Sequence, residues 1–292
     1  MCTNWKVKLL MIKVLKPGFY STIQDLGRHG FQEFGVPHSG VMDKRSAALA
    51  NALVGNDKND AVLEMTMTGT TLQFQTNTCI ALSGADLSAM LNETPIKLNK
   101  MIIVKPNDVL SFGKLNFGFR CYLAVLGGFK TETVMKSRSM YQNITKQVTL
   151  QKNDELQISI STSSNKKQHA SINFDASYIG SKVIEVFKGT EFEFLNANQQ
   201  NELFSKSFTI SKDNNRMAYQ LEESFQNDLK PIITSAVLPG TVQLTPSGKL
   251  IVLMRDCQTT GGYPRVLHIK ESSLDVMAQK FTGKTINFKL LH

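Results

Sequence analysis

Short apolar runs punctuated by Gly, Asn and Pro dominate the chain. They include Thr71–Phe74, Cys79–Leu82, Met101–Lys105, Val109–Phe112, Cys121–Leu126 and Leu156–Ile160, then Val183–Phe187, Glu191–Leu195, Phe208–Ile210, Thr241–Leu244 and Leu250–Met254. Runs this short, often alternating and bounded by turn residues, predict strands. Many strands with few helices predict barrels or sandwiches. Two windows switch to a helical period. Leu49, Ala50, Leu53 and Val54 share a face behind Asp43, a candidate N-cap, and Gly55 supplies a stop. Leu274, Met277, Ala278 and Phe281 recur at i, i+3, i+4 and i+7 behind Ser272 or Ser273, with Gly283 at the end. Both stripes face a core.

At 292 residues the chain is long enough for one large core or two ordinary domains. The polar run Ser161–Gln168 contains no apolar residue and marks the expected boundary. On that reading residues 1–10 are an N-terminal extension, 11–165 a first unit and 166–292 a second. Gly69-Thr70-Thr71-Leu72-Gln73-Phe74 and Gly189-Thr190-Glu191-Phe192-Glu193-Phe194 share a pattern, a slight hint of related halves.

Composition narrows the function classes. With 41% hydrophobic and 20% charged residues the chain reads as globular, and no apolar run approaches the ~20 residues that span a bilayer. The net charge of +9 raises nucleic acid as a partner, but the lysines are scattered and no aromatic-basic platform appears, so neither nucleic acid nor membrane is expected. Cys2, Cys79, Cys121 and Cys257 make no paired motif, which fits a reducing, cytoplasmic setting. His29, His38, His169, His268 and His292 show no metal spacing, and no metal is expected. Neither common phosphate loop is present.

The candidate chemistry lies in two motifs. Arg255-Asp256-Cys257-Gln258-Thr259-Thr260-Gly261-Gly262-Tyr263-Pro264 follows an apolar strand-like run. Its glycines permit positive φ and close approach to a ligand, and its Gln, Thr and Asp side chains offer donors and acceptors. On spacing alone a plain glycine turn between two strands is the simpler reading. The other motif runs from Gln24-Asp25-Leu26-Gly27-Arg28-His29-Gly30 to Pro37-His38-Ser39-Gly40 and Asp43. Arg28 can anchor a ligand carboxylate or brace Asp25. Ser39 reads as a turn residue or a ligand contact. Glu64 reads as a buried acid or a strand-edge glutamate, and Arg120 ordinarily as a surface ion-pair partner. A Ser39–His–Asp43 nucleophile lacks a nucleophile elbow, and a Cys257 nucleophile lacks an identifiable base.

These segments, with Val54-Gly55-Asn56, Arg120–Phe129 and Ser137-Arg138-Ser139, together resemble the family of the 5-oxoprolinase C subunit. That family is also described as KipA-like, as allophanate-hydrolase-subunit-2-like, or as subdomains A and B of a biotin-dependent carboxyltransferase domain. The resemblance runs from about Met11 to about Ile269. The chain departs from the pattern at Asn215–Ala218, Pro239–Gln243 and Ser247–Leu250, which bears on fine substrate preference.

The resemblance implies two cyclophilin-like β-barrel subdomains with a few short helices, where composition alone indicates only a mostly β chain of two units. It implies one component of an ATP-dependent hydrolase that opens 5-oxoproline to glutamate. ATP, with Mg2+, is expected at the level of the complex and no group is covalently bound. Partners similar to the B subunit (KipI-like) and to the A subunit of 5-oxoprolinase are implied. A composite site is expected in which Arg28 binds an anion and Asp25 or Asp256 orients or acts as base. Gln258, Thr259, Thr260 and the Gly261–Gly262 backbone would hold amide or phosphoryl oxygens. Gln24, Ser39, Asp43, Glu64, Arg120 and Tyr263 complete the expected substrate contacts. Two other classes share the resemblance: carboxyl transfer from carboxybiotin to an amide or urea, and a regulatory module that binds a kinase-inhibitor partner.

Overall fold

The computed structural model describes residues 10–159 and 175–291. Residues 1–9, the polar run at 161–168, Cys2, His169 and His292 therefore lie outside the described part, as do the expected boundary and all of the expected extension but Leu10, which opens a strand. The chain forms two compact units, and neither is one continuous stretch of sequence. Segments 26–45 and 135–137 group with the C-terminal unit rather than with the residues around them.

The first unit is built from two antiparallel sheets. One has the order β11-β1-β4-β9-β6-β7, from β1 (Leu10–Lys16), β4 (Thr71–Phe74), β6 (Ala89–Leu91), β7 (Thr94–Pro95), β9 (Val109–Phe112) and β11 (Glu155–Ile158). The other has the order β2-β3-β10-β5-β8, from β2 (Tyr20–Gln24), β3 (Val62–Thr66), β5 (Thr78–Asp86), β8 (Met101–Val104) and β10 (Phe117–Val125). Alternation decides which residues enter the core. In β4, Leu72 and Phe74 are buried while Thr71 and Gln73 are half-exposed. They share one cluster with Ile12 and Val14 of β1, Leu63 and Met65 of β3, and Cys121, Leu123 and Val125 of β10. Full burial of each such side chain contributes about 1.5–3 kcal/mol, which outweighs the weak preference of any single strand. α1 (Lys44–Val54) occupies the predicted residues, and Gly55 ends it with φ 77°.

The second unit is a closed barrel of order β12-β19-β16-β17-β14-β13-β20. Its strands are β12 (Val183–Lys188), β13 (Phe208–Asn214), β14 (Ala218–Ser224), β16 (Thr241–Leu244), β17 (Lys249–Leu253), β19 (Arg265–Ile269) and β20 (Thr285–Leu290). The β12–β20 contact is parallel, and the other pairs are antiparallel. β15 (Ser235–Ala236) and β18 (Thr260–Gly261) form a separate two-stranded ribbon. Helices α2 (Ser177–Gly180), α3 (Ala197–Ser205) and α4 (Glu271–Ala278) complete the unit. The mainly β architecture with few helices is as expected.

Two local expectations fail. The alternating Glu191–Leu195 is not a strand: Phe192–Phe194 forms a 3-10 turn. Arg265 clamps the Glu191 carboxylate through Nε (3.0 Å) and Nη2 (2.8 Å), and Glu191 N–H donates to Arg265 O. Phe192 is buried while Phe194 is exposed, so the two rings do not share a core face. Gly189 enables this approach, because a Cβ there would stand 2.1 Å from Arg265 O. The matching segment at Gly69–Phe74 forms β4 instead, so the shared pattern does not carry a shared structure. The second error is the α4 cap. The helix begins at Glu271, with Lys270 at the N-cap and no side-chain cap. Ser273 lies inside the helix, where its hydroxyl accepts the Glu185 N–H (3.0 Å). The helix stops at Ala278, before Phe281 and Gly283.

Candidate functional site

The segment 26–45 of the second unit is a closed loop. Arg28 N–H donates to His38 O (2.6 Å), which brings the two ends of the His29–Pro37 stretch together. Gly27 makes this possible: its φ is 95°, and a Cβ would stand 2.5 Å from His38 O. His29 and His38 then meet edge to face, with ring centroids 4.9 Å apart. The next residue, Ser39, is pinned by its N–H to Arg255 O (2.9 Å). Arg255 follows β17, so the end of a barrel strand fixes the loop.

These residues line a cleft of about 260 Å3 with Leu26, Lys44, Leu238, Pro239, His268 and Glu271. Glu271 opens α4, and His268 comes from β19. Two cations grip the Glu271 carboxylate. Lys44 Nζ stands 2.8 Å from Oε1, Arg255 Nη2 stands 2.9 Å from Oε1, and Arg255 Nη1 donates to Oε2 at 3.1 Å. Burial works to raise the Glu271 carboxyl, but the bonds and charges of Arg255 and Lys44 overcome it, leaving it pushed down to about 2. Burial lowers His38, as do the neighbouring His29, Lys44 and Arg255, and burial likewise lowers His268. Both rings are therefore neutral at pH 7, able to donate at one nitrogen and accept at the other. Asp275 stands behind this layer, 3.7 Å from Arg255 Nη2. Burial and then the charge of Asp43 push it up to about 7, against the pull of Arg255.

Ser39 is the least ordinary member. It is 3% exposed, has φ 56°, and its Oγ has no hydrogen-bond partner among the described residues. A left-handed residue with a Cβ is strained, and such strain clusters at functional sites. The Ser–His pair expected of a nucleophile is absent, since Ser39 Oγ bonds neither ring. Asp43 faces elsewhere, accepting from Tyr178 Oη and Gln279 Nε2, both at 2.7 Å. No three His, Cys, Asp or Glu side chains among the described residues are placed to hold a metal.

The Gly-Gly motif takes a different role. Thr260 and Gly261 pair with Ser235 and Ala236, and neither Gly261 nor Gly262 has positive φ, contrary to the turn reading. Thr259 O accepts the Val237 N–H (3.0 Å), Gly262 O accepts the Ile232 N–H (2.9 Å), and Tyr263 O accepts from Gln243 Nε2 (3.3 Å). Thr260 and Tyr263 are exposed, Gln258 is half-buried, and none of Gln258–Tyr263 lines the cleft. The motif braces the chain leading to Leu238 and Pro239, which do line it. Asp256 is also a brace: Arg216 takes both carboxylate oxygens, at 2.8 and 3.0 Å. The Cys257 thiol is pushed up to about 12 by burial and by Asp256, which removes it as a nucleophile.

The remaining expected residues lie elsewhere. Arg28 is 1% exposed in the second unit and does not line the cleft. In the first unit, Gln24 donates to Thr22 Oγ1 and Met140 O. Asp25 accepts from the Arg138 N–H (2.6 Å) and Ser139 Oγ (2.7 Å). Glu64 and Arg120 are 1% and 2% exposed on the paired strands β3 and β10, and Arg120 Nε stands 3.8 Å from Glu64 Oε1. Glu64 is therefore the buried acid of its two readings, and Arg120 is not the surface residue that its type suggested. The sequence reading missed Lys44, Arg255, His268, Glu271, Leu238 and Pro239 as one group. Only the closeness of His29, His38 and Ser39 in sequence pointed to it.

Comparison with known proteins matches residues 34–290 to the family model described as carboxyltransferase domain, subdomain A and B. The C subunit of 5-oxoprolinase from Escherichia coli (strain K12) is 32% identical over 284 residues, covering 95% of this chain and 90% of that protein. The Haemophilus influenzae protein of the same name is 31% identical over 287 residues, covering 96% and 91%. Urea amidolyase of Lachancea kluyveri is 42% identical over 139 residues, 47% of this chain but 8% of its own length. The crystal structure of Kluyveromyces lactis urea carboxylase superposes with a TM-score of 0.86 at 26% identity, covering 99% of this chain and 28% of that one. On these matches, this chain belongs to the family of carboxyltransferase-domain subdomains A and B.

Proposed function

We propose that the chain is one component of an ATP-dependent 5-oxoprolinase, active in a complex with partners similar to the A and B subunits of that enzyme. The observation that carries this reading is the end-to-end match to two proteins named as the C subunit of 5-oxoprolinase. The cleft supports it. A volume of about 260 Å3 lies below the range usual for drug-sized ligands, and suits a small ring. Neutral His38 and His268 and the free Ser39 hydroxyl offer both donors and acceptors to a lactam, whose planar amide presents one of each.

A lactam carbonyl is a poor electrophile because of amide resonance. Phosphorylation of its oxygen by ATP, with release of ADP, activates the ring carbon: water adds, the C–N bond breaks to free the amine, and a second water releases phosphate from the resulting acyl phosphate. The cleft does not fit the nucleotide: it is small, it has no glycine-rich loop, and both of its lining cations are tied to Glu271. The role proposed for this chain is to bind and orient the ring while the phosphoryl chemistry belongs to a partner.

A second reading is carboxyl transfer from carboxybiotin to a urea-type amide, favoured by the 42% identity to urea amidolyase over 139 residues. Co-expression of the chain with its two expected partners, followed by assay of 5-oxoproline-dependent ATP hydrolysis, separates the two. Turnover by the complex and none by the chain alone is expected. An assembled complex inert to 5-oxoproline, or full turnover by the chain alone, overturns the proposal.

A further inference from the structure

The two cations of the cleft already hold a carboxylate, and it belongs to the chain itself. Arg255 meets both oxygens of Glu271, and Lys44 adds an ammonium to one of them. Arg255 Nη1 makes the hydrogen bond while Nη2 makes a charge contact only, and a buried guanidinium beside an ammonium is a seat for a free carboxylate. The Glu271 side chain is 60% exposed while Arg255 is 4% exposed, so the cation is fixed and its partner is the part that water reaches. A ligand carboxylate that takes the place of Glu271 keeps both cations paired, so the exchange leaves no buried charge unpaired. The same lining includes Ser39, a residue 3% exposed on a backbone held at φ 56°, whose hydroxyl has no partner among the described residues. A buried hydroxyl without a partner is uncommon unless something outside the chain bonds it. Leu26, Leu238 and Pro239 supply an apolar wall.

We propose that this cleft binds compact monocarboxylates bearing a hydrogen-bonding group, the ligand's carboxylate displacing Glu271 from Lys44 and Arg255 while Ser39 bonds its polar group. The site is defined by carboxylate chemistry and goes beyond the oxoprolinase reading, of whose substrate it would be one use.

Three probes titrated calorimetrically into the full chain test it. 5-Oxoproline has both groups, cyclopentanecarboxylate lacks the amide, and 2-pyrrolidinone lacks the carboxylate. 5-Oxoproline binds tightest, cyclopentanecarboxylate about tenfold more weakly, and 2-pyrrolidinone not at all. Glu271→Gln removes the internal competitor and tightens both carboxylates about three- to tenfold. Ser39→Gly, which any left-handed position accepts, abolishes the preference for 5-oxoproline over cyclopentanecarboxylate. A folded Glu271→Gln chain that binds carboxylates no tighter, or 2-pyrrolidinone binding as well as 5-oxoproline, overturns the proposal. If Glu271→Gln fails to fold, the wild-type ranking of the three probes decides. A reconstituted complex without turnover, in which the ranking still holds, removes the oxoprolinase reading and leaves the carboxylate site standing.

Discussion

Two polar motifs of the second unit begin from similar material and end in different roles. Pro37–Gly40 and Gln258–Tyr263 both combine glycine, hydroxyls and an aromatic or imidazole ring next to proline. The first is forced into a strained turn and leaves Ser39 Oγ unsatisfied in a cleft. The second lies extended, and its backbone is spent on Val237, Ile232 and Gln243. The second motif's carbonyls are taken by neighbouring chain, whereas the strained loop, anchored at both ends, leaves a side-chain hydroxyl unbonded among the described residues. The richer motif by composition is therefore the brace, and the plainer one lines the cleft.

The largest expected effect tests the brace. Asp256→Ala removes the carboxylate that Arg216 bonds through Nε and Nη2 at 5% exposure, which should destabilise the fold by about 3–5 kcal/mol. Thermal melting checks this. A melting temperature near wild type would mean that Asp256 is spared for a ligand, and would reverse the comparison.

A smaller effect concerns pH on the cleft side. Asp275 holds its proton in the folded chain up to about 7, against an ordinary value of 3.8. The folded state thus binds more protons than the unfolded one in that window, so stability falls as pH rises from about 3.8 to about 7. Asp275→Asn keeps an acceptor for the Lys44 N–H and should remove the decline, on the order of 4 kcal/mol by pH 8. Glu271 acts in the opposite sense, since its contribution is present above its unfolded value of 4.5 and fades as pH falls toward about 2. Denaturant melts of both chains across this range separate the two contributions. An unchanged pH profile in Asp275→Asn would show that the carboxyl is not buried against Arg255 as described.

Much of this fold could be read from alternation. β4, β9 and β16 occupy the predicted residues because each places apolar side chains in a core, and α1 does because its stripe and its glycine stop agree. Glu191–Leu195 misled because its period was right while a long-range clamp from Arg265 overrode it. α3 was overlooked although its capping box, Asn196 with Gln199, was local and legible. The candidate site was harder to see. Ser39 and the two nearby imidazoles were in view, but His268 and Glu271 lie more than two hundred residues away and reach the cleft only once the barrel closes. Glu64 and Arg120 had ordinary local contexts, and only the pairing of β3 with β10 shows that both are buried.

The smallest effect is at the brace's glycines. A Cβ at Gly262 meets only Ile232 O at 3.6 Å, and its φ is ordinary, so Gly262→Ala should shift stability by no more than about 0.5 kcal/mol. It should also leave ligand affinity untouched. Loss of 5-oxoproline binding in a normally melting Gly262→Ala chain would return that motif to the site.

The most direct measurement of the central claim is a chemical-shift map of the full chain titrated with 5-oxoproline. The account predicts that the side-chain signals of His29, His38 and His268 and the amide of Ser39 move together and saturate, while the amides of Thr259–Tyr263 stay in place. Saturable shifts at Thr259–Tyr263, with the three imidazoles and Ser39 unmoved, would contradict it.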